Sequence, residues 1–330
     1  GWVNDGLGDD EIFTPSATTL EANWDSFADT TSGIQYYEYA VGTTAGSSDV
    51  SDGWVSIGTN LSVSVTFTLN ETVTYYVSVR ATDNVNNVSA VVTSDGITTD
   101  FTGPQGTWAI DGDSSDIDRQ NFTDTYSGYW LHFIEEGSGF KTHEYALYDN
   151  DNSQYITSWT VTLDTSCVIS ELELLEDLTY SLHIRGIDSV DNVGPILMSD
   201  GSLIDLSAPA VPLNLVGWFS TERIYLEWAN NTESDLDHYS IYGGTEMNPT
   251  MLLSTTADST TEAFMPGFED GSTYYIRISA TDIPGNESAF TAEVIGIPQP
   301  ATVTRVNPDP VNFLNAEDTQ LSIHFSQPLS

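Results

Sequence analysis

One nine-residue pattern occurs three times in this chain, and that repetition limits the possible folds more than anything else in it. Tyr75-Tyr76-Val77-Ser78-Val79-Arg80-Ala81-Thr82-Asp83 recurs as Tyr180-Ser181-Leu182-His183-Ile184-Arg185-Gly186-Ile187-Asp188. It returns as Tyr274-Tyr275-Ile276-Arg277-Ile278-Ser279-Ala280-Thr281-Asp282. The closing aspartates are 105 (188 − 83) and 94 (282 − 188) residues apart. Each is followed four positions on by an asparagine (Asn87, Asn192, Asn286), and each copy is preceded by a tryptophan (Trp24, Trp130, Trp228). A fixed period of this kind marks tandem units, and 330 residues accommodate three of them.

Units one and two are the closer pair. Ser94-Asp95-Gly96 matches Ser199-Asp200-Gly201, the stretch from Asp100 to Pro104 matches that from Asp205 to Pro209, and Trp54 matches Trp159. Unit two also has a longer first connection: Pro104 to Trp130 is 26 residues, against 16 from Pro212 to Trp228. Within each copy the apolar period is two. Tyr75, Val77, Val79 and Ala81 face one way and Tyr76, Ser78 and Arg80 the other, as in a half-buried antiparallel strand. Thr, Val, Tyr and Ile fill the runs, Gly, Asn, Asp and Ser punctuate them, and no helical stripe interrupts. The fold class is all-β, built from sandwiches of short strands.

The early tryptophan, the Tyr37-Glu38-Tyr39 strand, Tyr75 six residues before Ala81 and the D-x-x-x-N turn together resemble the fibronectin type III sandwich. Unit three matches best, with Trp228, the run from Asp235 to Tyr242 and Gly271-Ser272-Thr273-Tyr274. The resemblance implies that Tyr75, Tyr180 and Tyr274 are tyrosine-corner residues. It implies sandwiches over 1–104, 105–209 and 210–298, the first two similar to the longer variety in bacterial surface proteins. Residues 299–330, with the Thr302–Val306 and Leu321–Ser326 runs, resemble the start of a bacterial Ig-like domain. Two strands bury no core of their own, so the chain is expected to be a segment of a longer protein.

Charge narrows the partners. With 49 acidic against 7 basic residues the net charge is −42, and Lys141 is the only lysine. Such a surface repels nucleic-acid phosphates and anionic membranes, and no apolar run reaches the ~18 residues of a membrane span. Cations, neutral glycans and basic proteins remain.

The most metal-like cluster is Asp111-Gly112-Asp113-Ser114-Ser115-Asp116-Ile117-Asp118, in the extra stretch of unit two. Alternating carboxylates around a turn-forming glycine suit Ca²⁺, which takes ~6–8 oxygens from flexible loops. Asp111, Asp113, Asp116 and Asp118 are therefore the candidate ligands, with Asp5-Gly6 and Asp9-Asp10-Glu11 a partial counterpart in unit one. The order is not that of an EF-hand, and solvated loop carboxylates are the plainer reading. The turns 83–87, 188–192 and 282–286 are a second candidate, near a domain junction; Asp and Asn capping their own backbone explains them without a ligand.

Other groups fit structural roles. A glycosidase needs two carboxyls across a cleft, one held protonated by a buried setting, and Glu135-Glu136 or Asp235 with Asp237 on small sandwiches supply no cleft. His132, His143, His183, His238 and His324 lack metal spacing; alternation turns His143 inward and His183 outward. Cys167 reads as a buried apolar residue, Trp24, Trp130 and Trp228 as core, and Trp54 and Trp159 as packing. Tyr36, Tyr76, Tyr242 and Tyr275 fall on outward phases, where they either stack on sugar rings or brace the sheet. Arg185-Gly186-Ile187-Asp188 superficially resembles an integrin tripeptide, but Ile187 breaks it.

The expected function is a non-catalytic stalk, spacer or adhesion region of a large extracellular or cell-surface bacterial protein: a monomeric rod whose partner is an extracellular glycan or surface protein. No catalytic residue and no cofactor-binding residue is assigned, and calcium is the cation its loops would take. The alternative is a glycan-binding accessory module of a secreted polysaccharide-degrading enzyme.

Overall fold

The computed structural model describes residues 1–257 and 260–300, with the backbone alone of Val303–Asn307 and Ser322–Phe325. Strand follows strand with no helix among the described residues, so none is long and apolar enough to cross a membrane. The chain forms two compact units. The first holds Gly1–Asp118, Asp124–Leu172 and Leu178–Ser202; the second holds Arg119–Thr123, Glu173–Asp177 and the chain from Leu203 onward.

The first sandwich sets the pattern. Val3–Asp5, Thr19–Trp24 and Ser62–Thr66 form one sheet; Ile34–Gly42 and Thr74–Asp83 are the long antiparallel centre of the other. Alternation buries Leu20, Ala22 and Trp24 from one sheet against Tyr37, Tyr39, Val77 and Val79 from the other. The tryptophans at the matching positions are equally enclosed, Trp130 in the second sandwich and Trp228 in the third. Tyr75 Oη accepts a hydrogen bond from the Asn70 amide (2.9 Å), and Tyr274 Oη accepts one from the Glu269 amide (3.1 Å). That tie five residues upstream is the tyrosine corner of this type of sandwich.

The long first connection of unit two now has a structural reason. Its opening strand is broken in two: Ala109–Asp111 pairs with Thr125–Trp130 in one sheet, the acidic loop crosses the edge, and Arg119–Gln120 runs parallel to Leu203 and Ile204 in the other. Val3–Asp5 and Phe13–Thr14 repeat this switch in the first sandwich, with Phe13–Thr14 parallel to Ile97–Thr99. In the third, Leu213–Ser220 stays in a single sheet as one strand, and no crossing loop is needed. Of the expected Ig-like segment at 299–330, Val303–Asn307 and Ser322–Phe325 pair antiparallel; the rest, like the His324 side chain, lies outside the described residues apart from the linker ending at Pro300.

Candidate cation sites

The crossing loop of the second sandwich begins at Asp111, the last residue of its strand. Gly112 has φ +101°, and a Cβ there would sit 2.4 Å from the Ser115 carbonyl, so the turn requires glycine. The loop closes on itself: Asp116 Oδ1 accepts the Asp111 amide (3.2 Å), and the Ile117 amide donates to the Asp111 carbonyl (3.0 Å).

Asp111 is fully buried, and a buried carboxylate is costly unless its oxygens are bonded. Three donors answer: Ser199 Oγ (2.6 Å) and Tyr126 Oη (2.6 Å) reach Oδ1, and the Gly201 amide (2.7 Å) reaches Oδ2. Tyr126 Oη is also 2.5 Å from the Tyr180 carbonyl, and one phenol proton cannot serve both oxygens. Burial pushes the Asp111 carboxyl up, against the lowering by Ser199, Tyr126 and Gly201, and burial likewise pushes the Tyr126 phenol up.

Asp111, Asp116 and Asp200 bring carboxylate oxygens within 4.8 Å of one another. Asp113 and Asp118 are exposed and outside that group. Asp200 comes from the Ser-Asp-Gly triplet some ninety residues further on, and its repetition at 94–96 is the sequence signal that marks it.

The first sandwich repeats the arrangement with Asp5, Asp10 and Asp95, again within 4.8 Å. Asp10 Oδ1 accepts the Asp5 amide (2.8 Å) and the Gly96 amide donates to Asp5 Oδ2 (3.0 Å). The position of Tyr126 is taken by Leu20 (126 − 20 = 106, as 111 − 5 = 106). Asp5 Oδ1 is consequently buried with no partner; Ser94 faces the carboxylate without closing a hydrogen bond of good geometry on it. Burial pushes Asp5 up to about 7, with Ser94 and Gly96 opposing and the charges of Asp10 and Asp95 adding. In the third sandwich the register places Gly217 here, opposite Leu226.

A third group sits where the first sandwich meets the second. Asp100 and Asp188 are fully buried, Glu135 is half-buried, and the three offer oxygens within 4.8 Å. Asp188 is held by its own turn: Oδ1 accepts the Val190 and Asn192 amides (3.0 and 2.8 Å) and Oδ2 accepts Asn192 Nδ2 (2.7 Å). Asn192 Nδ2 also donates to the Asp100 carbonyl (2.7 Å), which ties that turn to the end of the preceding sandwich. The Ser138 amide donates to Asp100 Oδ2 (2.5 Å), but Asp100 Oδ1 and Ser138 Oγ are buried without a partner. Burial and, after the opposing Gly137 amide, the charges of Asp100 and Asp188 push Glu135 up. The turns at Asp83 and Asp282 are capped in the same way by Asn87 and Asn286.

The remaining candidates are committed elsewhere. Tyr36, Tyr76, Tyr242 and Tyr275 are half-buried; Tyr242 donates to Glu287 (2.9 Å) and packs edge-on against Phe290. Trp54 and Trp159 are covered by the guanidinium groups of Arg80 and Arg185, at 4.3 and 4.2 Å from the ring centres. His143 points inward among Trp130, Phe133 and Phe140, and burial depresses it to about 4. His183, expected to face outward, is buried instead, because Tyr148 stacks on it (4.3 Å) and Tyr155 closes over its edge. Cys167 is buried, its thiol pushed up to about 12 by that burial. Asp235 pairs with Arg119 and Asp237 with His238, and Glu136 is exposed. The third sandwich carries an open groove of about 570 Å³ lined in part by Met251, Phe264, Phe268 and Tyr274, with no carboxylate among its lining residues.

No family model matches this chain. It is 27% identical over 260 residues to Exoglucanase B of Cellulomonas fimi, a match covering 74% of this chain and 22% of that protein. The chain therefore spans about a fifth of the length of that relative. Among solved structures it is similar to the FN1–FN3 domains of chicken CNTN1 at a TM-score of 0.41 and 16% identity, over 91% of this chain and 98% of that one.

Proposed function

We propose that this chain is a non-catalytic spacer region of a large secreted bacterial enzyme that acts on a polysaccharide, with sandwich boundaries at residues 104, 209 and 298. The observation that carries the reading is the 260-residue alignment with an exoglucanase, which falls on sandwiches whose carboxylates sit in loops and joins rather than across a cleft. Hydrolysis of a glycosidic bond needs two carboxyls facing one another over substrate. The groove of the third sandwich, apolar and free of acids, does not supply them.

A second reading rests on that same groove. Its aromatic and methionine side chains suit a sugar ring, whose faces are apolar, so the region also qualifies as an accessory module that holds glycan for a catalytic domain elsewhere. Sedimentation of the chain with insoluble cellulose, and affinity electrophoresis in soluble β-glucans, separate the two. A spacer stays in the supernatant and migrates unretarded. Retention that is lost in Phe264→Ala or Tyr274→Ala replaces the spacer reading with the accessory one.

A further inference from the structure

We propose that Asp100, Glu135 and Asp188 form a calcium site at the join of the first and second sandwiches. Three carboxylates within 4.8 Å of one another, two of them fully buried, repel unless a cation lies between them or one takes up a proton. Among the described residues no ion pair includes any of the three. Asp100 is wholly buried, yet its Oδ1 has no hydrogen-bond partner. A hard cation coordinated by the three carboxylates supplies the missing partner to Asp100 Oδ1, and Ca²⁺ accepts such an irregular oxygen set.

At the join that follows, the corresponding junction aspartate is paired with a cationic side chain. Asp205, Glu233 and Asp282 are its matching acids (205 − 100 = 105; 233 − 135 = 98, the spacing of Trp130 and Trp228; 282 − 188 = 94). The turn is tied in the same way, by Asn286 Nδ2 donating to the Asp205 carbonyl (2.8 Å). Here the protein provides its own cation. Arg119 Nη1 lies 3.0 Å from Asp205 Oδ2 and 3.2 Å from Asp235 Oδ2, Asp205 Oδ1 accepts the Ser207 amide, and Glu233 turns to the Ala210 amide (2.7 Å).

Arg119 has a counterpart in the first sandwich, and it is Phe13. Both lead the short parallel strand, and the next residue's carbonyl accepts the amide of the junction aspartate: Thr14 from Asp100 and Gln120 from Asp205, each at 2.9 Å. Where the second sandwich sends a guanidinium to its junction carboxylate, the first has an uncharged ring and an orphaned oxygen. The inference does not rest on the spacer reading and stands or falls without it.

The test is calorimetric titration of Ca²⁺, and separately Mg²⁺, into the chelator-stripped 330-residue chain at constant ionic strength, repeated on Glu135→Gln, Phe13→Arg and the exposed control Glu246→Gln, which lies outside every acidic group. The expected result is one Ca²⁺ fewer per chain in Glu135→Gln and Phe13→Arg than in the wild type, with the control unchanged. Subtraction keeps the result independent of any binding at Asp5 or Asp111. Absence of Ca²⁺ binding, unchanged stoichiometry and affinity in both variants, or one-for-one displacement by Mg²⁺ at equal affinity would each overturn the proposal. If Phe13→Arg shows no cooperative melt, Glu135→Gln decides alone.

Discussion

The first and second sandwiches bury the same aspartate in different company. Asp111 is met by a phenol, a hydroxyl and an amide, whereas Asp5 has the amide alone for good hydrogen bonds: Leu20 stands where Tyr126 would be, and Ser94 does not close the bond that Ser199 makes. The loops around them are otherwise the same, down to the carboxylate that accepts the aspartate's own amide (Asp10 and Asp116). The missing phenol and the hydroxyl that does not close thus separate a buried acid tied into a network from one that is stranded. A repeated residue need not carry a repeated role.

Removing the two acids gives the largest contrast. Asp111→Ala strips partners from Ser199, Gly201 and Tyr126 at once, and breaking a buried network of this kind costs about 3 kcal/mol or more. Asp5→Ala loses one amide partner and relieves the repulsion from Asp10 and Asp95, so at pH 8 its cost is about 1 kcal/mol or less. Denaturant midpoints of the two variants check this, and equal losses would break the comparison. Tyr126→Phe comes next. It leaves the ring in place, removes the hydroxyl shared by Asp111 and Tyr180, and costs about 2 kcal/mol.

The pH response should follow Asp5 in the same order. Its carboxyl ordinarily titrates at 3.8 and is raised to about 7 in the fold. Between these values the folded state holds the proton more tightly, so this contribution to stability is present below the ordinary value and is lost as pH rises through about 7. His143 acts in the opposite sense: held at about 4 against an ordinary 6.5, it contributes above 6.5 and that share is lost as pH falls toward 4. Comparing wild type with Asp5→Asn cancels the histidine. The stability difference between them should move steadily from pH 4 to pH 7 in favour of the variant and then level off. In Leu20→Tyr, a hydroxyl within reach of Asp5 should flatten that movement, and an unaltered pH profile would show that the missing phenol is not its cause.

How much of this was legible beforehand depended on distance along the chain. Strand alternation, the buried tryptophans and the tyrosine corners follow from local periodicity, which a sequence displays directly. Asp111 and Asp116 were visible as ligand candidates because five residues and a glycine turn join them. Asp200 was not, since only closure of the sandwich carries it to the loop, although the repeated Ser-Asp-Gly triplet marked it. Asp113 and Asp118, adjacent on paper, turn outward because the loop folds back through Asp116. Glu135 stands in the sequence as one of an acidic pair and Asp188 as a turn residue; their meeting with Asp100 depends on two sandwiches abutting. His183 takes the outer face that alternation assigns it, but alternation does not say that Tyr148 and Tyr155 cover that face.

The smallest effect comes where the two sandwiches agree, and it serves as the control. Arg80 Nε pairs with Glu38 (2.8 Å) while its guanidinium lies over Trp54, and Arg185 repeats the stack with Glu144 (2.7 Å from Nη2) and Trp159. Each arginine is partly exposed, so solvent screens the ion pair and its contribution is about 0.5 kcal/mol; the cation–π contact adds a similar ~0.5–1 kcal/mol. Arg80→Met and Arg185→Met keep most of the side-chain bulk over the ring, and both should lower stability by roughly 1 kcal/mol. Because the geometry matches, the losses should match within the error of a denaturant melt, and half of each should vanish in 1 M NaCl, where the Debye length falls to about 3 Å. Unequal losses here would mean that the two sandwiches differ in overall resilience, and the contrast between Asp5 and Asp111 would then have to be rescaled by that difference before Leu20 is held responsible for it.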